Sequence, residues 1–260
     1  MNNLKNKRLI IVVLFPLQVI LIKFLGQYPN FIDTYYSNGL YPVISKTLRY
    51  TFGRIPFFVG DILYAILIIF ILKWGFSNFK NVYKKPKQTL LTITAFISVI
   101  YFVFHFLWGL NYYRTPLYKT LGLDTTYTTD QLFKVAEKLI VRTNTIHLKI
   151  AINDTTKAAI PYGTTQVFEK TVNGYSQLHK KHPQIIYKTR SIKKSIWSLP
   201  LTYSGYSGYL NPFTNEAQVN YLIPKYHLPL VSCHEEAHQI GYAAENETNF
   251  IGYLACKENP

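Results

Sequence analysis

The sequence predicts a membrane-anchored α+β protein, with three N-terminal transmembrane helices followed by a domain centred on a helix that carries HExxH. Three observations lead there. Long apolar runs occur only in the first 110 of the 260 residues. Charge divides at the same place: residues 1–110 hold 12 Lys and Arg against Asp33 and Asp61 alone, while residues 111–260 hold 16 against 11 acids. Residues 234–238 read His-Glu-Glu-Ala-His. With 48% hydrophobic residues the chain is too apolar for disorder, and its two-part patterning excludes a single water-soluble domain. The net charge of +15 borders apolar stretches instead of forming a compact basic face, so no nucleic-acid partner is expected. Cys233 and Cys256 are too few for a disulfide framework or a multi-cysteine zinc cluster.

The clearest span is residues 90–110, which carry no formal charge and are long enough to cross ~30 Å of hydrocarbon at ~1.5 Å per residue. Trp108, Tyr112 and Tyr113 mark an aromatic interface at its end. Residues 55–72 form a second span, interrupted by Asp61 and closed by Lys73 and Trp74. The first span, residues 9–25, reaches crossing length only when Lys23 snorkels. No small-residue cleavage site follows it in KFLGQYPNFIDTYY, so an uncleaved span is expected in place of a signal peptide. Asp61 and His105 are expected to be structural, Asp61 reaching the headgroups and His105 a neighbouring helix, with no proton pathway. Lys5, Lys7 and Arg8 at the tip, and Lys80, Lys84, Lys85 and Lys87 between spans two and three, should face the cytoplasm. Lys46, Arg49 and Arg54 are spread along the loop between spans one and two. Residues 1–110 are thus a multi-pass region of the cytoplasmic (inner) membrane, and residues 111–260 an extracytoplasmic domain.

In that domain Thr129-Asp130, followed by Leu132, Val135, Ala136, Leu139 and Ile140, gives a helix start and an apolar stripe. Residues 165–181 repeat the pattern with Val167, Phe168, Val172, Tyr175 and Leu178 on one side. Residues 185–199 mix β-branched residues with Lys188, Arg190, Lys193 and Lys194, the pattern of a strand with a solvated face. Residues 205–224 read as a hairpin: Asn211-Pro212 and Thr214-Asn215 signal the turn, and the second strand runs toward Pro224. Pro229 opens a helix, Gly241 ends it, and another runs from about Asn246 toward Cys256.

The chemistry concentrates in the HExxH helix. His234 and His238 are four residues apart, about 40° around the axis, so both imidazoles leave one face one turn apart. That suits two ligands of one tetrahedral Zn²⁺, while Glu235, about 100° from His234, can reach a water without occupying the metal. This composition yields roughly 0.006 such motifs by chance. The rival is an incidental pair of histidines in which Ser232 to Glu235 form a capping box; Pro229 starts the helix earlier and frees Glu235. Glu236 reads as solvent-facing. A catalytic zinc needs a third protein ligand and an open position. Gly241 lets the chain reverse, so ENETNFIGYLAC can return along the first helix. Glu245 is preferred as third ligand, with Glu247 the alternative, and Asn249 shares the Glu245 face and can hold a histidine from behind.

These residues carry a resemblance. HEEAHQIGYAAENETNF resembles the gluzincin arrangement, in which a helix bearing ExxxD follows HExxH, here with Thr248 and Asn249 in the last two places. Together with three N-terminal spans, WGLNYYR at 108–114 and SGYLNPFTNEAQVN at 207–220, the chain resembles the bacterial membrane family numbered 3810 among domains of unknown function, regarded as zinc-peptidase-like. The resemblance implies a zincin-like domain and a metallopeptidase site with Glu245 as ligand, and no known substrate. Members of that family continue beyond the point where this chain stops, Pro260, and a truncated domain would lack part of its cleft.

On this reading the protein is a membrane-bound zinc metallopeptidase that hydrolyses peptide bonds by a zinc-activated water, with Glu235 as general base. Tyr206, Tyr209, Tyr221 and His227 are the candidate oxyanion donors. The candidate substrate-pairing strand is 218–222, with Gln218 and Asn220 in it and Glu216 at its start, either binding a substrate amine or simply exposed in the turn. Cys233 could ligate zinc, pair with Cys256 or be a buried thiol. The lipid bilayer and a peptide or protein substrate are the expected partners. The competing function is a non-hydrolytic sensor or assembly protein whose zinc holds two helices together, with Glu247 or Cys233 closing the site; a transporter is disfavoured because three spans offer little of a pathway.

Overall fold

In the computed structural model, which describes residues 2–260, the chain is mostly helical with one small sheet. The side chains of residues 1–5, Lys5 among them, lie outside the described residues. Helices α1 (Asn2–Leu25), α4 (Val59–Lys84) and α5 (Pro86–Leu107) each contain a stretch long and apolar enough to cross a membrane: Asn6–Leu25, Val59–Lys84 and Pro86–Leu107. The second begins later than its apolar run suggests, because residues 55–58, with Pro56, are not helical, and it continues through Lys73 to Lys84. Helix α1 lies on α5, where Ser98 donates to the Ile11 carbonyl at 3.0 Å and accepts from Gln18 at 3.3 Å. Such interhelical bonds stabilise helix pairs where lipid cannot hydrogen-bond. His105 bonds within its own helix, Nδ1 to the Tyr101 carbonyl at 2.9 Å, and not to a neighbour as expected.

The stretch between the first two spans is helical, not a loop: α2 (Pro29–Phe31), a π-helical segment (Ile32–Leu40) and α3 (Tyr41–Gly53) follow one another without a break. Its buried face is Ile32, Tyr36, Ser37, Tyr41, Ser45 and Arg49, half of it Ser and Arg. Hydropathy therefore carries no stripe there, although positions 37, 41, 45 and 49 repeat at the four-residue helical interval.

After a 3₁₀ turn (Gly109–Tyr113) come α6 (Leu117–Thr120), α7 (Thr129–Ile150), α8 (Thr164–Lys181), β1 (Ile192–Lys194), α9 (Ser198–Tyr203), β2 (Gly208–Asn211), β3 (Glu216–Val219), α10 (Leu228–Gln239) and α11 (Glu245–Lys257). The sheet order is β1-β3-β2, with β1 parallel to β3 (Ile192 opposite Ala217) and β2 antiparallel to it (Tyr209 opposite Gln218). The hairpin turn is closed by Asn215 at φ 53°, a left-handed conformation that Asn tolerates. Two strand expectations shorten. Of residues 185–199 only Ile192–Lys194 pair, since α9 begins at Ser198. The second hairpin strand ends at Val219 and does not run toward Pro224.

Helices α8, α10 and α11 form one core through Tyr175, Leu178, Cys233, Ala237, Ile251 and Ala255, and Val167 and Phe168 of α8 cover the sheet residues Ile192, Ala217 and Val219. Each large apolar side chain so buried contributes ~1.5–3 kcal/mol. Helix α7 has its capping box, Thr128 with Gln131, and no buried residue. Glu236, expected in solvent, is fully buried on the α8 side of α10 and accepts from Thr171 Oγ1 at 2.8 Å. Asp61 is likewise buried in protein and does not reach headgroups: it accepts from Ser195 Oγ at 2.9 Å and the Ile196 amide at 2.7 Å.

Candidate metal centre

Helix α10 starts with Pro229 in its first turn and stops where Gly241 takes φ 91°. The carbonyls at the end of a helix have no partner within it and need donors from elsewhere. Here the N-terminal half of the chain supplies them. Trp108 Nε1 donates to the His238 carbonyl at 3.0 Å, Tyr41 and Ser45 to that of Gln239 at 2.8 and 2.7 Å, and Arg114 to that of Gly241 at 2.8 Å. The residue after the third span and the helix between the first two thus hold the histidine helix in place. Helix α11 then returns close alongside: a Cβ at Gly252 would stand 3.1 Å from the His234 amide nitrogen.

The result brings His234, Glu235 and His238 together, with potential ligand atoms all within 4.8 Å of one another. Glu245 joins them from α11. Its Oε2 is 3.2 Å from His234 Nε2 and its Oε1 is 3.5 Å from His238 Nε2. Behind the rings, His238 Nδ1 donates to the Tyr242 carbonyl at 2.8 Å, and His234 Nδ1 lies 3.0 Å from Asn249 Oδ1. A carbonyl only accepts, so His238 is protonated on Nδ1 and its Nε2 is a lone pair, and the same holds for His234 against the amide oxygen. Burial depresses the pKa of both imidazoles, and for His238 the neighbouring His234 adds to it, so both are neutral at pH 7.

Two nitrogen lone pairs therefore face a carboxylate, acceptors against acceptor, which only a cation or a proton between them reconciles. The donor set of two imidazoles and one carboxylate suits Zn²⁺. Glu247, the alternative ligand, is turned away and accepts from the Leu117 amide at 2.6 Å. Cys233 lies in the α8/α10/α11 core with its Sγ 3.7 Å from that of Cys256, both thiols free.

Glu235 is buried, its Oε2 has no partner, and burial followed by the charge of Glu245 pushes its pKa well above the ordinary carboxylate range. Gly208 of β2 packs against its other oxygen: a Cβ there would come within 2.8 Å of Oε1. A cleft of about 640 Å³ opens over these groups, lined also by Tyr64, Phe104, Trp108 and Tyr112. The last four went unrecognised in the sequence as cleft residues, though the aromatic cluster at the end of the third span was visible.

The strand expectation needs correcting. Strand β3 is the central strand, flanked on both sides, so it cannot pair with a substrate; Gln218 and Asn220 are fully buried. Asn220, just past the strand end, donates to Thr202 Oγ1 and the Tyr206 carbonyl. Glu216 is neither a substrate ligand nor a turn-exposed acid: it is buried and ion-paired with Lys193, and accepts from Thr214 Oγ1 and the Gly60 amide. Of the two edge strands, β1 and β2, it is β2 whose Gly208, Tyr209 and Leu210 line the cleft. Among the candidate oxyanion donors, Tyr206 and His227 line it, Tyr209 donates its hydroxyl to Asp61, and Tyr221 lies outside the lining.

The chain belongs to the family described as "Protein of unknown function (DUF3810)", which matches residues 36–260. No curated protein and no solved structure matches it.

Proposed function

We propose that this protein is a membrane-bound zinc-dependent metallopeptidase with a zincin-like domain, His234, His238 and Glu245 holding the metal and Glu235 acting as general base. The observation that carries the reading is the pair of imidazoles on one helix face whose Nε2 atoms both meet the Glu245 carboxylate while their Nδ1 atoms are held from behind by the Asn249 side chain and the Tyr242 carbonyl. Bound there, zinc would supply Lewis acidity toward a carbonyl oxygen and acidify a water. Glu235, desolvated beside the ligands, takes a proton from the attacking water as its oxygen bonds to the carbonyl carbon. The same proton goes to the amide nitrogen as the C–N bond breaks, leaving a carboxylic acid and an amine, and the acid's remaining proton passes to the amine to give a carboxylate and an ammonium. The free edge of β2 aligns an extended peptide by backbone pairing, and Tyr206 or His227 donates to the developing oxyanion.

The non-hydrolytic alternative needs a fourth protein ligand. Neither Glu247 nor Cys233, the residues that would supply it, is turned to the site. The short basic loop with Lys84, Lys85 and Lys87 supports a cytoplasmic placement for that end of the spans and an extracytoplasmic one for the catalytic part, in the cytoplasmic membrane.

The test is metal content and peptide cleavage of the detergent-purified chain, for wild type, His238→Ala and Glu235→Gln. The expectation is about one zinc per chain, lost in His238→Ala and kept in Glu235→Gln, with cleavage reduced at least ~10²-fold in both. Zinc-free wild type would overturn the metal centre. Zinc-loaded protein that cleaves nothing would overturn the peptidase.

A further inference from the structure

The cleft is walled partly by the spans themselves, by Tyr64 of α4 and Phe104 of α5, and Trp108 just past α5 bonds directly to the histidine helix. Asp61 near the head of α4 holds Ser195 and Ile196. From that anchor the chain descends along the span: Trp197, Leu201 and Tyr209 face Tyr64, Leu67, Ile68 and Ile71 across a shared apolar crevice. Leu67 and Ile71 lie about 12 and 18 Å along the axis from the helix start at Val59. A hydrocarbon layer covers ~20 helical residues. Counted back from Lys80 it begins near Gly60, in the first turn of α4, so Trp197 and Leu201, beside Leu67 and Ile71, stand at hydrocarbon depth.

The local chemistry agrees with that depth. Residues 195–215 contain no Asp, Glu, Lys or Arg. Leu199 and Tyr203 are 59% and 86% exposed. The backbone satisfies itself: the amides of Leu201, Ser204 and Tyr206 donate to the carbonyls of Trp197, Pro200 and Leu201, and the Thr202 hydroxyl to that of Ser198. Backbone inside lipid must do this, since no water is there to replace a missing partner. Residues 205–209 then turn back and line the cleft.

We infer that residues 196–206 form a re-entrant wall sunk into the leaflet next to the catalytic cleft, so that the cleft opens at the bilayer surface and takes the juxtamembrane segment of a membrane-anchored polypeptide. The substrate class rests on the peptidase reading; the immersed wall does not. A chain leaving the bilayer beside Tyr64 and Phe104 enters the cleft directly, whereas a soluble peptide must first partition to the membrane surface.

The experiment has two arms on the full chain in phosphatidylcholine nanodiscs. In the first, Leu199→Cys, Tyr203→Cys and, as a water-exposed control, Tyr127→Cys (71% exposed) react with a charged, water-soluble maleimide. Modification is read at each site by peptide mass, which keeps Cys233 and Cys256 apart from the added thiols. Residues 199 and 203 should react at least ten-fold more slowly than 127; equal rates would overturn the immersed wall. In the second arm a randomised peptide is offered either free or as the first six residues outside a hydrophobic transmembrane anchor in the same nanodisc. Cleavage at least ten-fold faster for the anchored form is expected. Equal or faster cleavage of the free peptide overturns the substrate class. Cleavage of neither form overturns the peptidase reading and the substrate class with it, while the labelling arm still decides the wall.

Discussion

Glu236→Gln should stabilise the protein above neutrality and remove a pH dependence from its folding. Glu236 is fully buried; its Oε1 accepts from Thr171, and the nearby Tyr187 hydroxyl, itself bonded to Gln239, and then Arg49, whose Nη1 is bonded to the Thr189 carbonyl, moderate its charge. Burial lifts its pKa from an ordinary 4.5 to about 8. Between those values the folded state keeps a proton that the unfolded state releases, so stability falls as pH rises through the window and levels off only above about 8. At ~1.4 kcal/mol for each pH unit, the ceiling on that loss is roughly 5 kcal/mol. Relaxation around a charged carboxylate would bring it nearer ~3 kcal/mol. Glutamine keeps the acceptor for Thr171 and never ionises. Denaturant unfolding of both proteins in detergent, zinc-free and at fixed ionic strength from pH 5 to 9, should give curves that nearly meet at pH 5 and diverge toward pH 8.5, with the variant the more stable. Parallel curves, or a variant less stable at pH 9, would refute the desolvation argument.

Three further outcomes follow from the geometry. Asn249→Ala removes the oxygen behind His234 and should weaken zinc affinity about 10–100-fold with the fold intact; competition with a chromophoric chelator measures it, and an unchanged affinity would mean that Asn249 does not orient the ring. Gly252→Val puts a branched side chain where a single Cβ already stands 3.1 Å from the His234 backbone. It should cost ~1–3 kcal/mol and reduce bound zinc by prising α11 from α10, so wild-type Tm and full zinc occupancy would contradict that packing. Trp108→Phe deletes the donor to the His238 carbonyl, a loss of about 1 kcal/mol in detergent melts. If the third span braces the site, the same substitution should also lower zinc affinity, and a change in Tm alone would confine Trp108 to stability.

What could be read from the sequence is what depends on near neighbours along the chain. A 21-residue uncharged run must be helical and lipid-compatible whatever else surrounds it, and His234 and His238 share a helix face by geometry alone. Pro229 and Gly241 bracket that helix for reasons of local φ and hydrogen bonding, and the Asn211–Asn215 turn is equally local. What needed the tertiary structure depends on partners far away in sequence. Glu245 and Glu247 are equally good carboxylates two residues apart; Leu117, 130 residues upstream of Glu247, takes it out of contention by offering its amide. Glu236 looks solvent-facing until α8 covers it, and Gln218 looks like an edge residue until β1, arriving from the other side, makes β3 central. The segment before α4 hid because Ser37, Ser45 and Arg49 make up half of its buried face. Ser45 makes sense only once the Gln239 carbonyl at the end of α10 lies against it, and Arg49 only once the Thr189 carbonyl does. Hydropathy reports transfer from water, and it is silent where burial is driven by satisfying backbone carbonyls of another element.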